Sequence, residues 1–130
     1  MDEETIKEII NDTVNATVLK MKMVGLLKDD RRTAIEKTEE LLRNYPIFRK
    51  IKDKGYTVKL VARVDEALGI IFNDPYYEVI EMFYFDGITR ENIALEFDTS
   101  VTTISRNKTR LLNKLASILF SDDVIFELFL

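Results

Sequence analysis

Residues 99–120 carry Arg106, Lys108, Arg110 and Lys114 and no acidic side chain, a local charge of +4, while the remainder of the 130-residue chain holds 15 basic against 23 acidic residues, or −8. Guanidinium and ammonium groups set among Ser100, Thr102, Ser105 and Thr109 have the chemistry of anion and base-edge recognition, with multidentate donors beside small hydroxyls that donate and accept. The net charge of −4 does not argue against this, because a polyanion responds to the face it meets and not to the average. Taken alone, a short basic helix is equally well a solvated face, so the decision rests on how its residues are positioned.

Other chemistries have less to work with. The chain contains no histidine and no cysteine, which removes the commonest general base, the commonest metal ligand and the thiolate nucleophile together. The adjacent carboxylates Asp29 and Asp30, Glu39 and Glu40, and Asp122 and Asp123 diverge on a helix, which suits solvation or capping and not a shared proton. No catalytic residue, metal-ligand set or cofactor site is expected, and the chain is not read as an enzyme.

Ser100 is a good N-cap for a helix in which Ile104, Leu111, Leu112 and Leu115 form an inner stripe. At about 100° per residue, Thr102, Arg106, Thr109 and Asn113 fall nearly opposite that stripe, with Ser105 and Arg110 on the flanks and Val101 at the border. Upstream, Thr89 caps a shorter helix with Ile93, Ala94 and Phe97 inward, and Asp98-Thr99-Ser100 makes the turn between the two. Two helices so spaced predict a helix-turn-helix. Residues early on the second helix would enter a major groove, where Arg106 can donate two bonds to guanine and threonine or Val101 can meet a thymine methyl. Lys108, Arg110 and Lys114 come later or at the edges and suit phosphates. The expected DNA-binding set is therefore Ser100, Val101, Thr102, Ser105, Arg106, Lys108, Thr109, Arg110 and Lys114.

Apolar spacing predicts more helices ahead of this pair. A first spans residues 5–27, with Ile6, Ile9, Ile10, Val14, Val18, Met21 and Val24 on one face. A second starts after Asp29 or Asp30 with Ile35, Thr38, Leu41, Leu42 and Tyr45 inward, and Pro46 ends or bends it. Residues 47–54 then form a second basic patch around Arg49, Lys50, Lys52 and Lys54, read as a solvated amphipathic turn ahead of Gly55, with a phosphate clamp as the alternative. A third helix covers about residues 58–72, with Val61, Val64, Leu68, Ile71 and Phe72 inward. A fourth runs from Pro75, capped by Asp74, to about Tyr84, with Val79, Ile80, Phe83 and Tyr84 inward and Asp86-Gly87 closing it.

Only four glycines and two prolines leave little punctuation for a sandwich or barrel, so the fold class is all-α. The expected organisation is an N-terminal helical region, 1–72, packed with a DNA-binding region, 73–130. No apolar run approaches a membrane span, the start is acidic, and cysteine is absent, so a soluble, unprocessed chain in a reducing cytoplasm is expected, without a membrane partner.

Residues 79–94, with Asp86-Gly87-Ile88-Thr89-Arg90-Glu91-Asn92-Ile93-Ala94, followed by Ser100-Val101-Thr102-Thr103-Ile104-Ser105-Arg106, closely resemble region 4 of sigma-70-type factors. The resemblance covers about residues 74–119 and implies a four-helix unit whose last two helices read DNA. Asp98 stands where that turn commonly has glycine, Thr99 where an aliphatic residue is usual, and Asn107 where the last helix often has an apolar one. The acidic helices ahead of it do not supply a promoter-melting region, which disfavours a full sigma factor. The C-terminal placement of the unit and the stretch Leu41-Leu42-Arg43-Asn44-Tyr45-Pro46 resemble the ArpU-type autolysin-regulatory family of phage transcriptional regulators. That resemblance implies control of phage or prophage late genes for lysis or packaging, with double-stranded DNA as partner and RNA polymerase as a further one through the acidic half. A homodimer through the first helix or the apolar tail after Asp122 is the sharper alternative to packing within the chain. The competing function is a small terminase subunit that recognises packaging sites, and a ring-sized particle in light scattering would separate it from a regulator.

Overall fold

The computed structural model describes residues 3–5, 33–50 and 56–120, and every element described is helical. The first helix expected over residues 5–27, the caps Asp29 and Asp30, the end of the second basic patch and the apolar tail lie outside the described residues. Helix α1, Ala34–Lys50, starts where Thr33 Oγ1 accepts the Glu36 amide at 3.1 Å. It does not end at Pro46, which sits inside it. A proline there costs about 3 kcal/mol through its missing N–H and its ring, but Tyr45 and Phe48 on either side are both buried, at about 1.5–3 kcal/mol for a side chain of this kind. The inward positions expected on α1 hold, with Thr38, Leu41, Leu42 and Tyr45 buried and Ile35 packed against them.

Helix α2, Tyr56–Ile71, buries Leu60, Val64, Ala67, Leu68 and Ile71, a 3.6-period stripe. Phe72, expected inward, lies just past its end and is 62% exposed, its ring 5.1 Å from Tyr77. The Asp74 carboxylate then accepts the Tyr76 amide at 2.9 Å and the Asp74 carbonyl accepts the Tyr77 amide at 3.0 Å. Pro75 therefore belongs to this turn and is not the first helical residue. Helix α3 begins at Tyr77–Ile80 and continues as a π-helical turn, Glu81–Phe85. Gly87, at φ 68, closes it, with the Ile88 amide bonded to the Met82 carbonyl at 2.9 Å.

Helix α4, Arg90–Glu96, is capped by Thr89, whose hydroxyl accepts the Asn92 amide at 3.3 Å. Its C-terminus closes with Asp98 N–H on the Leu95 carbonyl at 3.2 Å and Thr99 N–H on the Ala94 carbonyl at 3.0 Å, a Schellman arrangement with Asp98 at φ 50. Helix α5, Val101–Leu119, follows at once, capped by Ser100 on the Thr103 amide at 3.1 Å.

Two apolar clusters hold these helices. The smaller joins Val79, Ile93, Ala94 and Ile104, and so locks α4 and the start of α5 onto α3. The larger runs from Leu41, Leu42, Tyr45 and Phe48 through Leu60, Val64 and Ile71 to Leu111, Leu112, Leu115 and Leu119. The boundary expected at 72/73 cuts across this core: α1 and α2 cover the second half of α5. Leu111→Ala is expected to cost about 2–5 kcal/mol and to lower a single denaturation transition, followed by circular dichroism, that includes both halves of the chain. Asp98→Gly is expected to raise the denaturation midpoint by the equivalent of about 0.5–1 kcal/mol, because it relieves the left-handed position without removing the closing bonds.

Candidate nucleic-acid interface

The outer faces of α4 and the first half of α5 form an open groove of about 520 Å³ lined by Arg90, Val101, Thr102, Ser105, Arg106 and Thr109. Burial of Ile104 on the opposite side of α5 turns these residues outward. Five of the nine residues expected from the sequence meet here. Ser100 is at the end of the groove's helix, and its hydroxyl is engaged by the Thr103 amide and by the Thr103 hydroxyl at 3.0 Å. It starts and orients the helix while remaining exposed.

Arg106 is exposed and has neither an ion-pair nor a hydrogen-bond partner among the described residues. Arg90 adds a second guanidinium from α4, one of whose Nη1 protons reaches Ser105 Oγ at 3.1 Å. This contact braces Arg90 against the neighbouring helix and leaves most of its donors unused. The sequence reading missed Arg90. Its signal was its place directly after the Thr89 cap, outside any apolar stripe, on the helix that abuts the expected reading helix. No carboxylate lines the groove, which therefore offers donors, hydroxyls and methyls only.

Two of the expected phosphate contacts are committed elsewhere. Lys108 does not face the groove: its ammonium sits 4.2 Å from the centroid of the Phe83 ring and 5.7 Å from that of Tyr84. Burial pushes its pKa below the usual lysine range, against the attraction of Glu39. Being four residues from both Ile104 and Leu112, it falls close to the inner stripe. Arg110 is held by a bidentate pair to Asp74, at 2.7 and 2.8 Å, and by Asn107 Oδ1 at 3.2 and 3.1 Å. Asn107 in turn donates to the Thr103 carbonyl at 2.9 Å. Arg110 thus ties α5 to the turn that starts α3, in place of a free phosphate contact. Lys114 is exposed two turns beyond Arg106, as the sequence suggested, with no ion pair among the described residues.

Hydrogen bonds from Arg110 lower the Asp74 pKa to about 2, with the Tyr76 amide adding to them against the opposing effect of burial. The described residues include no group of acidic side chains able to hold a metal ion and no helix long and apolar enough to cross a membrane. Comparison with protein-family models, curated proteins and solved structures returns no match for this chain. The case for a function therefore rests on the geometry and on the sequence motifs themselves.

Because its folded-state pKa is depressed, Asp74 stabilises the fold above the ordinary carboxylate pKa of 3.8, and this contribution disappears as pH falls toward 2. Asp74→Asn is expected to cost about 1 kcal/mol near neutral pH, a modest figure because the pair is solvent-facing. Urea midpoints should show the gap between wild type and variant closing between about pH 4 and about pH 2.

Proposed function

We propose that the chain is a sequence-specific DNA-binding transcriptional regulator that presents the first half of α5 to the major groove of duplex DNA. The observation that carries this reading is the groove itself: unpaired Arg106 and braced Arg90 flank Val101, Thr102, Ser105 and Thr109 on a capped helix pair, with no acidic side chain among them. Arg106 has the free fork that a guanine edge requires, and Val101 and Thr102 supply methyls for thymine. Arg90 and Lys114 lie where they can meet phosphates on either side of the read bases. The cations available for DNA are thus fewer than the basic count of α5 suggests, because Lys108 and Arg110 serve the fold.

The resemblance to ArpU-type regulators supports a narrower reading, control of phage or prophage late genes in the cytoplasm of a bacterial host, with RNA polymerase as a further partner.

Fluorescence anisotropy of the full chain on a duplex selected from a random pool, and on a scrambled duplex, tests the DNA reading at several salt concentrations. Arg106→Ala is expected to cost about 1–3 kcal/mol on the selected site and to flatten the ratio between the two duplexes. Lys114→Ala should weaken both equally and reduce the logarithmic salt slope by about one. Lys108→Met should leave slope and ratio unchanged while lowering stability by about 0.5–1 kcal/mol, the value of a cation over an aromatic face. An unchanged ratio in Arg106→Ala sinks the proposed reading face.

A further inference from the structure

Helices α1, α2 and α3 and the turn at Phe72 border a second, half-open cavity, about 270 Å³, that shares no residue with the groove. Four aromatic side chains line it, Tyr45, Phe72, Tyr77 and Phe85, together with the carboxylates of Asp65 and Glu81. We infer that this cavity is a docking site for a lysine or arginine side chain presented by a partner protein.

The rings come in two pairs, Tyr45 with Phe85 at 5.0 Å between centroids and Phe72 with Tyr77 at 5.1 Å. Aromatic faces carry negative potential and attract a cation that comes within about 6 Å of their centres. Two observations show that the site's polar groups are not used up by the fold. Tyr77 is only 7% exposed as a residue, but its hydroxyl oxygen reaches solvent and has no hydrogen-bond partner among the described residues. The Glu81 carboxylate is likewise unpartnered among them, whereas Asp65 accepts the Tyr45 hydroxyl. A solvent-reaching phenol oxygen beside a free carboxylate can accept, together with it, from an incoming N–H donor.

Charge points the same way. The cavity's lining has one cation, Arg49, whose guanidinium lies 5.7 Å from the Tyr45 ring centroid, against two carboxylates. The excess is one negative charge. After burial, the largest influence on the raised Tyr77 pKa is Glu81, followed by Asp65, so the negative field reaches the phenol. An ammonium or guanidinium on an aliphatic stem fits both parts of the site, with its head at the carboxylates and its methylenes on the rings. The source is a polypeptide because an exposed apolar ring edges the site: Phe72, just past the end of α2, is 62% exposed. Such an edge fits the residues that flank a basic side chain in a chain.

The test is an amide-resolved NMR titration of the full chain with acetyl-Leu-X-Leu-amide peptides in which X is lysine, arginine, norleucine or glutamate. With lysine or arginine, saturable shifts are expected at Gly69, Phe72 and Tyr77, and none at Thr102 or Arg106. Norleucine and glutamate peptides should bind at least about fivefold more weakly, a difference of about 1 kcal/mol. Glu81→Gln should lose the preference for lysine over norleucine. Phe72→Ala, an exposed position that leaves the fold intact, should weaken the lysine and norleucine peptides alike. Equal binding of lysine and norleucine, or a lysine preference that survives Glu81→Gln, overturns the cation site. Butylamine binding as tightly as the lysine peptide overturns a protein source.

Discussion

Ile104, Leu111, Leu112 and Leu115 lie at 2% exposure or less along one side of α5, and their burial fixes the rotation of that helix about its axis. At about 1.5–3 kcal/mol for each fully buried side chain, turning α5 by one residue would forfeit several such terms and bring Asn or Arg side chains into the core. The outward direction of Thr102, Arg106 and Thr109 is thus a consequence of packing on the far side. The two ends of the stripe belong to different cores. Ile104 packs with Val79 and Ile93 in the helix-turn-helix cluster, while Leu111 to Leu119 pack with α1 and α2. A 19-residue helix shared in this way transmits the support of the N-terminal helices to a groove that they do not touch.

The same rotation sorts the basic residues of α5 by role. Lys108, near the stripe, is drawn over Phe83 and Tyr84, and Arg110, at its flank, finds Asp74. Arg106 and Lys114 are left facing water. Phosphate affinity depends on cations that can exchange a counterion for a phosphate, and a guanidinium held by a carboxylate on two donors is not one of these.

The sequence made the helices and their caps legible because both are local. Thr89 and Ser100 were readable from residue type and distance to the next apolar position, and both cap as expected. Asp98 was readable as a residue tolerant of left-handed backbone, and it adopts φ 50. What escaped was set by partners distant in the chain. Arg110 meets Asp74 across 36 residues, and the passage of α1 through Pro46 depends on the burial of Tyr45 and Phe48 by other helices. Lys108 is a different case: its angle on the helix already placed it near the inner stripe, and charge was given more weight than angle. Of the groove, the α5 wall was legible from periodicity, but Arg90 was not, because two helices meeting at a groove is a tertiary fact.

The π-helical turn in α3 gives the clearest instance of local geometry serving several partners. Phe83, Tyr84 and Phe85 are consecutive, so they leave the helix in different directions, and each meets a separate neighbour. Phe83 lies beneath Lys108 of α5, Tyr84 donates to Glu39 of α1 at 2.8 Å, and Phe85 packs on Tyr45 of α1. The wider turn, in which the Asp86 amide reaches back to Glu81, accommodates one more residue than an α-helical closure would. Burial together with the bond to Glu39 pushes the Tyr84 pKa far above the usual tyrosine range, so its hydroxyl remains a donor across the neutral range. Because Val79, Tyr77 and Ile80 on the preceding turn divide between the two cores, α3 is the element against which groove and aromatic cavity are both registered. Through Val79 on one cluster and Tyr77, Ile80 and Tyr84 on the other, α3 thus contacts both α5 and α1.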